Sequence, residues 1–467
     1  MNSLLVLTLM LLPSGDDLYV GAAMVEITPP VGYRMAGGYN EVISRGVHDP
    51  LYAKAIAWRQ GETEAVLVVC DLCSMGREQS DPIRQRVSER TGIPVSHVVI
   101  SATHTHGGPE YYGPLRDIGH QVSIDQTGHD PHEAIDYLEL LVDRIETAVA
   151  TARERAIPVA VEVVVPRVPG IAFNRRFHMR DGSVVCNPGK KNPEIVRPAG
   201  PVDEEFPGLL FRDLATHQPG SSLSVFPMHV ATFSADSSFG ADFPGVLQER
   251  LVERYGTGFV SVFGEGTAGD TNHVNVDSAE PEDGRTERTR IGNALAEAFI
   301  RGEDKLQSAG PPKLTVASAR VPIPLIEVTE AELLSAQNLM QKSVVGHEST
   351  EFLTAVAAWR ALNTKTLRAR GDANLQDEVQ VIRLSDDVAI VTLPHEVFVE
   401  LGMAIKQQSP FKHTLVISLA NDIDFYVPTL KAFGEGSYEV TTSSYKPGGG
   451  ELLVEGAVQL LKDVHSR

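Results

Sequence analysis

Stretches that read as buried strands alternate with stretches that read as helices through most of this 467-residue chain, and that alternation limits the fold more than any other feature. Residues 65–71 form an apolar run of strand length, 81–91 carry helical spacing and 97–103 return to a strand; 137–155 then reads as a helix and 159–165 as a strand. The pattern restarts with strand-like 223–230, helical 245–255, strand-like 259–263 and helical 288–300. Helices are expected over 329–342 and 351–368, a strand pair over 379–384 and 388–393, a helix over 397–407 and a last strand over 414–419. Strands with continuous apolar runs must be covered on both faces, so the expectation is an α/β fold of mixed β-sheets flanked by helices. Breaks fall at 107–136, 187–205, 277–284 and 443–450, the first long enough for a lid or rim.

Several chemically capable residues sit at or just past the apolar runs, where open α/β sheets carry their sites: His104, His229, Asp270, Glu396 and Asn421. His104 and His106 follow the run Val98-Val99-Ile100-Ser101-Ala102-Thr103 and precede Gly107-Gly108-Pro109. Residues two apart on a strand face the same way, so both imidazoles can enter one cavity and serve a metal. On spacing alone the pair reads equally well as two solvated histidines at a strand end. The run His129-Asp130-Pro131-His132-Glu133 is metal-like in composition, but Pro131 and its polar surroundings favour a solvated turn.

Composition narrows the class. A net charge of -20 and the lack of a basic aromatic stripe argue against binding nucleic acid. Three cysteines, Cys70, Cys73 and Cys186, are too few and odd for a disulfide framework, and Cys70-x-x-Cys73 reads as two buried thiols. The apolar run at residues 4–12 is too short to span a bilayer as a helix. It fits a secretory signal or N-terminal extension over 1–18, followed by one domain over 19–467; export to a periplasm or the cell exterior is the favoured reading, with a cytoplasmic location as the other.

Thr103-His104-Thr105-His106-Gly107-Gly108-Pro109 stands in line with Gly21-Ala22-Ala23-Met24-Val25-Glu26-Ile27-Thr28-Pro29-Pro30, Gly46-Val47-His48-Asp49-Pro50-Leu51, Cys70-Asp71-Leu72, Asn174-Arg175, Met228-His229, Gly269-Asp270, Leu393-Pro394-His395-Glu396 and Ala420-Asn421-Asp422 through Tyr426. In that order these segments resemble the catalytic domain of the neutral/alkaline, non-lysosomal ceramidase family, over roughly residues 21–458. Family members are zinc amidases. The resemblance implies one catalytic Zn2+ held by His104, His229, Glu396 and Tyr426, a set that leaves a position open to water. It further implies that His106 moves protons, that Arg175 contacts substrate or the activated oxygen, and that Tyr438, twelve positions after Tyr426, stabilises an oxyanion. The implied substrate is an N-acyl lipid such as ceramide, or a related N-acyl compound.

Two departures qualify the implied substrate. The family's G-D-x-S-P-N run reads Gly269-Asp270-Thr271-Asn272-His273 here, and an amide at Asn272 cannot act as a serine nucleophile. The family's C-terminal β-sandwich domain is not expected in a chain ending at Arg467. Two other classes stay open: a metallophosphoesterase-like hydrolase, suggested by Asp71 and the Asp270 segment, and a non-catalytic zinc-containing relative that binds lipid or glycan headgroups.

Overall fold

A computed structural model describes residues 17–232, 237–281, 283–340, 351–370 and 373–467; the apolar run at 4–12 and the end of the helix expected over 329–342 lie outside them. The larger sheet runs in the order Val260–Glu265, Pro219–Phe226, Gly208–Asp213, Ile157–Val164, Tyr19–Glu26, Tyr52–Gln60, Thr63–Cys70 and Val98–Ala102, with Gln307–Ser308 added beside Ile157–Val164. The smaller sheet runs Pro312–Pro324, Asn374–Ser385, Val388–Thr392 and His413–Ile417.

The two sheets pack face to face. Ile56, Leu67, Val69, Val99, Leu223, Val225 and Val262 of the larger meet Ile382, Leu384, Ile390, Leu415 and Ile417 of the smaller in one core. The opposite face of the larger sheet is covered on one half by the helices Arg77–Thr91 and Tyr137–Glu154, and on the other by Asp242–Tyr255 and Gly284–Gly302. Val399–Gln408 and Gly449–His465 cover the outer face of the smaller sheet. The layers are therefore helix, sheet, sheet, helix, and every central strand is buried on both sides. In Thr63–Cys70, for example, Leu67 and Val69 face the other sheet while Val66, Val68 and Cys70 face the helices. That double burial is why the strands read as continuous apolar runs.

Within the two large sheets most strand neighbours are antiparallel, but three pairs are parallel: Thr63–Cys70 with Val98–Ala102, Pro219–Phe226 with Val260–Glu265, and Val388–Thr392 with His413–Ile417. Parallel neighbours need a crossover, supplied by Arg77–Thr91, Asp242–Tyr255 and Val399–Gln408 respectively. Each unit thus presents two strand carboxyl ends side by side, and the loops leaving them converge on the site described below.

Element positions differ from the sequence reading where a local signal was overridden. The strand expected over 223–230 is Pro219–Phe226, because Pro227 has no N–H to continue the ladder and residues 227–230 leave the sheet. Glu396 does not open a helix. It lies in the two-residue strand Glu396–Val397 paired with Tyr426–Val427, and the helix begins at Val399. The break at 107–136 holds the helix Pro114–Thr127, none of whose residues is fully buried, which is why its apolar signal is weak. Residues 129–133 are not a simple solvated turn. Buried Arg34 binds Asp130 Oδ2 at 2.6 Å and Ser123 Oγ at 3.1 Å, and His120 Nδ1 lies 2.9 Å from Asp130 Oδ2, so the segment is an ionic clasp. Helix Gly449–His465 and the long strand Pro312–Pro324 were not anticipated. No helix among the described residues is long and apolar enough to cross a membrane.

Candidate active site

Three turns leaving parallel strands bring two imidazoles and a carboxylate together. His104 lies just beyond Val98–Ala102 with a left-handed backbone, φ 67°. Its Nδ1 is 2.8 Å from the Cys73 carbonyl, which can only accept, so the proton sits on Nδ1 and the Nε2 lone pair faces inward. His229, beyond Pro219–Phe226, repeats the device with Nδ1 donating to the Ala268 carbonyl at 2.8 Å. Between the two Nε2 atoms stands Glu396 Oε2, 3.3 Å from His104 and 3.1 Å from His229. Tyr426 completes the cluster with its hydroxyl 3.3 Å from His229 Nε2.

This arrangement sets lone pairs against a carboxylate oxygen in a buried place. Neither His104 Nε2 nor Glu396 Oε2 has a partner in hydrogen-bond geometry. Orphaned acceptors turned toward one another are costly unless positive charge lies among them. The electrostatics agree. Burial opposes a charged imidazole at His104, yet Glu265 and Glu396 outweigh it and hold His104 well above its ordinary value. Burial likewise opposes the Glu396 carboxylate, and His104 and His229 hold it well below the usual range. Nitrogen and carboxylate donors with this tautomer pattern fit a divalent cation such as zinc.

The remaining residues surround that cluster. The His106 ring centroid lies 5.1 Å from that of His104, and burial together with the neighbouring His104 and His229 pushes its imidazole well below its ordinary value, so it is neutral at neutral pH. Arg175 donates from Nη1 to His229 Nε2 at 3.1 Å, from Nη2 to the Gly269 carbonyl at 2.9 Å and from Nε to Glu439 Oε1 at 2.8 Å. Its guanidinium covers the Tyr426 ring at 5.0 Å. The Tyr438 ring sits 5.4 Å from that of Tyr426, and its hydroxyl is 3.0 Å from the hydroxyl of Tyr39. All seven residues singled out in the sequence therefore lie in one contiguous cluster.

Others fall outside it, with plain structural work. Asp270 accepts from the Val399 N–H at 2.8 Å and from Asn174 Nδ2 at 2.8 Å, holding the start of the helix Val399–Gln408. Asn421 accepts from Ile100 N–H at 2.9 Å, tying the sheets together. Asp71 accepts from Tyr52 N–H at 2.9 Å. Asn272 bonds Asn187 at 3.0 Å and the Val274 N–H at 3.0 Å. Neither aspartate belongs to a group of candidate metal donors among the described residues, so the metallophosphoesterase reading loses the residues that suggested it. Cys70 is buried; Cys73 Sγ lies 3.9 Å from His104 Nδ1, and all three cysteines are free thiols.

Sequence reasoning missed Glu265, Glu439 and Tyr39. Glu265 ends the strand Val260–Glu265 at 1% exposure, with Oε1 3.9 Å from His229 Nδ1, and burial pushes its carboxyl up to about 8. A charged residue closing an apolar run was the available signal. Glu439 and Tyr39 had none, since only folding brings them near residues hundreds of positions away.

Backbone demands explain two residue choices. A Cβ on Gly269 would meet the Glu396 carbonyl at 2.4 Å, so the Gly-Asp step lets the chain pass directly behind the carboxylate residue. His395 adopts φ 64°, the left-handed region in which glycine is unstrained and a side chain must be held by its neighbours. The imidazole is so held, accepting from Asp424 N–H at 3.2 Å and stacked on Phe425 at 4.3 Å. Gly37 has φ +99°, and a Cβ there would come within 2.5 Å of the His106 ring. Gly37→Ala is expected to displace that ring, lowering turnover by about 10²-fold with metal content unchanged; paired activity and metal assays check it.

The family model for the N-terminal part of neutral/alkaline non-lysosomal ceramidase matches residues 18–377. The chain belongs to this family. His104, His106, Arg175 and His229 fall within the matched stretch, and Glu396, Tyr426 and Tyr438 lie beyond it. The neutral ceramidase from Pseudomonas aeruginosa has a similar fold, with a TM-score of 0.69 at 17% identity over 96% of this chain and 75% of that one. A ceramidase complexed with C2 gives a TM-score of 0.69 at 17% identity over 96% of this chain and 76% of that one. No curated protein matches the sequence. Like those neighbours, this ceramidase-family chain is built of mixed sheets with flanking helices.

Proposed function

We propose that this protein is a zinc-dependent amidase that hydrolyses an N-acyl compound, with an N-acyl lipid such as ceramide as the leading substrate class. The observation that carries the reading is the meeting of two inward imidazole nitrogens with a carboxylate oxygen, of which His104 Nε2 and Glu396 Oε2 find no hydrogen-bond partner in the protein. His104, His229, Glu396 and Tyr426 would hold the ion. When bound, zinc would supply Lewis acidity to the scissile carbonyl and make a water more acidic.

The chain's own groups supply the rest. Neutral His106 can take a proton from the attacking water at an imidazole nitrogen and return it to the leaving nitrogen, so that water adds across the C–N bond and a carboxylate and an amine depart. Burial opposes the charge of Arg175, but Tyr426 and Glu439 outweigh it and keep the guanidinium firmly charged beside the reaction centre. Tyr438, its hydroxyl kept protonated by burial, can donate to a tetrahedral oxyanion. No serine is required, which suits Asn272. The hydrolytic unit is read as residues 19–467, and the run at 4–12 supports export.

The test is hydrolysis of N-acyl substrates, ceramides included, alongside elemental analysis of the purified protein. One zinc per chain with amide hydrolysis supports the reading; zinc without turnover on any N-acyl substrate would favour the non-catalytic relative. His106→Ala should keep its zinc and lose turnover by about 10²–10⁴-fold, the usual contribution of a general acid–base group.

A further inference from the structure

We infer that Glu265 is a fifth protein donor to the cation, making the site one of two imidazoles and two carboxylates backed by the Tyr426 phenol. The inference rests on the reading of a metal centre above and deepens it.

Donor atoms of His104, His229 and Glu265 lie within 4.8 Å of one another, and all three side chains are buried. The Oε1 atom of Glu265 has no hydrogen-bond partner among the described residues. A carboxyl group at 1% exposure, with an oxygen left bare, is expensive to keep in a core unless a cation or a donor meets it. The nearby donor is not available: His229 Nδ1, 3.9 Å away, already gives its hydrogen to the Ala268 carbonyl at 2.8 Å. Arg175 directs its three nitrogens to Glu439, His229 and the Gly269 carbonyl and makes no hydrogen bond to Glu265 Oε1. The backbone leaves little room to retreat. Gly264 packs against Ile417, where a Cβ would lie 3.0 Å from that side chain, and a Cβ on Gly266 would meet Pro227 at 2.9 Å. The strand end is thus pinned between the two sheets, with the Glu265 side chain turned toward the two histidines.

Charge counting supports the same conclusion. Two neutral imidazoles and one carboxylate leave a divalent ion with one positive charge in a buried cavity. A second carboxylate cancels it, which favours retention of the ion in a low-dielectric interior. Oxygen-rich sets also accept metals harder than zinc, so Glu265 would broaden the range of ions the site binds tightly, manganese included.

The experiment compares wild type, Glu265→Gln and Glu396→Gln, each stripped of metal and titrated with zinc, manganese and cobalt against a competing chelator. Glu265→Gln is expected to weaken zinc binding by about 10–100-fold, and manganese more than zinc. Cobalt-loaded Glu265→Gln should absorb more strongly in the visible than cobalt-loaded wild type, as loss of a donor moves the ion toward tetrahedral geometry. Melting of the metal-free forms keeps the comparison sound: Glu265→Gln should be no less stable than wild type, having lost only a buried carboxyl whose Oε1 has no hydrogen-bond partner. Unchanged affinities and an unchanged cobalt spectrum would overturn the assignment of Glu265 while leaving the metal centre intact. If wild type itself bound no metal, or Glu396→Gln bound it as well as wild type, the underlying reading would fall.

Discussion

His104→Ala is expected to leave the protein folded, empty of zinc after dialysis and inactive. The His104 Nε2 and Glu396 Oε2 atoms face each other at 3.3 Å, neither with a partner in hydrogen-bond geometry, and removing the imidazole takes away one of the two nitrogen donors. What stays is a single imidazole, His229, among oxygen donors, a set that holds zinc less tightly at neutral pH than one with two nitrogens. Activity should fall at least about 10³-fold, beyond the loss typical for a single oxyanion donor. Folding should survive, because His104 sits on a turn at a strand end, and its left-handed φ of 67° is strained for any side chain, so alanine pays no new backbone cost. Elemental analysis and circular dichroism on the same sample check both halves. A variant that held one zinc per chain would remove His104 from the ligand set.

Glu439→Gln is expected to lose about 3–5 kcal/mol of folding stability, the range for breaking one side of a buried ion pair. Glu439 is fully buried and holds two arginines at once, Arg175 Nε at 2.8 Å and Arg176 Nη1 at 2.9 Å. Neutralising it leaves two guanidiniums in the core with one fewer counter-charge and lets Arg175 swing away from His229. Urea denaturation measures the loss; a change under about 1 kcal/mol would show that the arginines are held by their backbone carbonyl contacts alone.

The same residue sets the sign of an acid dependence. Burial opposes the Glu439 carboxylate, but Arg175 and Arg176 outweigh it and hold its carboxyl below the usual range. A carboxyl lowered on folding contributes stability above its unfolded value of about 4.3 and loses it as pH falls through the folded value. Wild type should therefore weaken on acidification where Glu439→Gln, lacking that carboxylate, weakens less.

Much of the fold was legible because the central strands are buried on both faces and so carry uninterrupted apolar runs. Thr63–Cys70 and Val388–Thr392 were readable for this reason. Pro114–Thr127 was not, since an exposed helix held by an ionic clasp leaves no apolar stripe. The site was legible only through the order of motifs. Nothing local distinguishes His229 or Tyr426 from ordinary core residues, and the strand pairing that sets Glu396 beside Tyr426 joins two separate segments of the chain.

By itself the sequence determined the alternating α/β pattern and the family, because these depend on periodicity and motif order, both carried along the chain. Only the tertiary structure decided that three crossover units end at one place, that carbonyls of Cys73 and Ala268 turn both imidazole lone pairs inward, and that Glu265 and Glu439 belong to the same cluster. The physical reason is that a donor's direction and a charge's partner are set by contacts across 31 to 264 positions of chain, which no local pattern encodes.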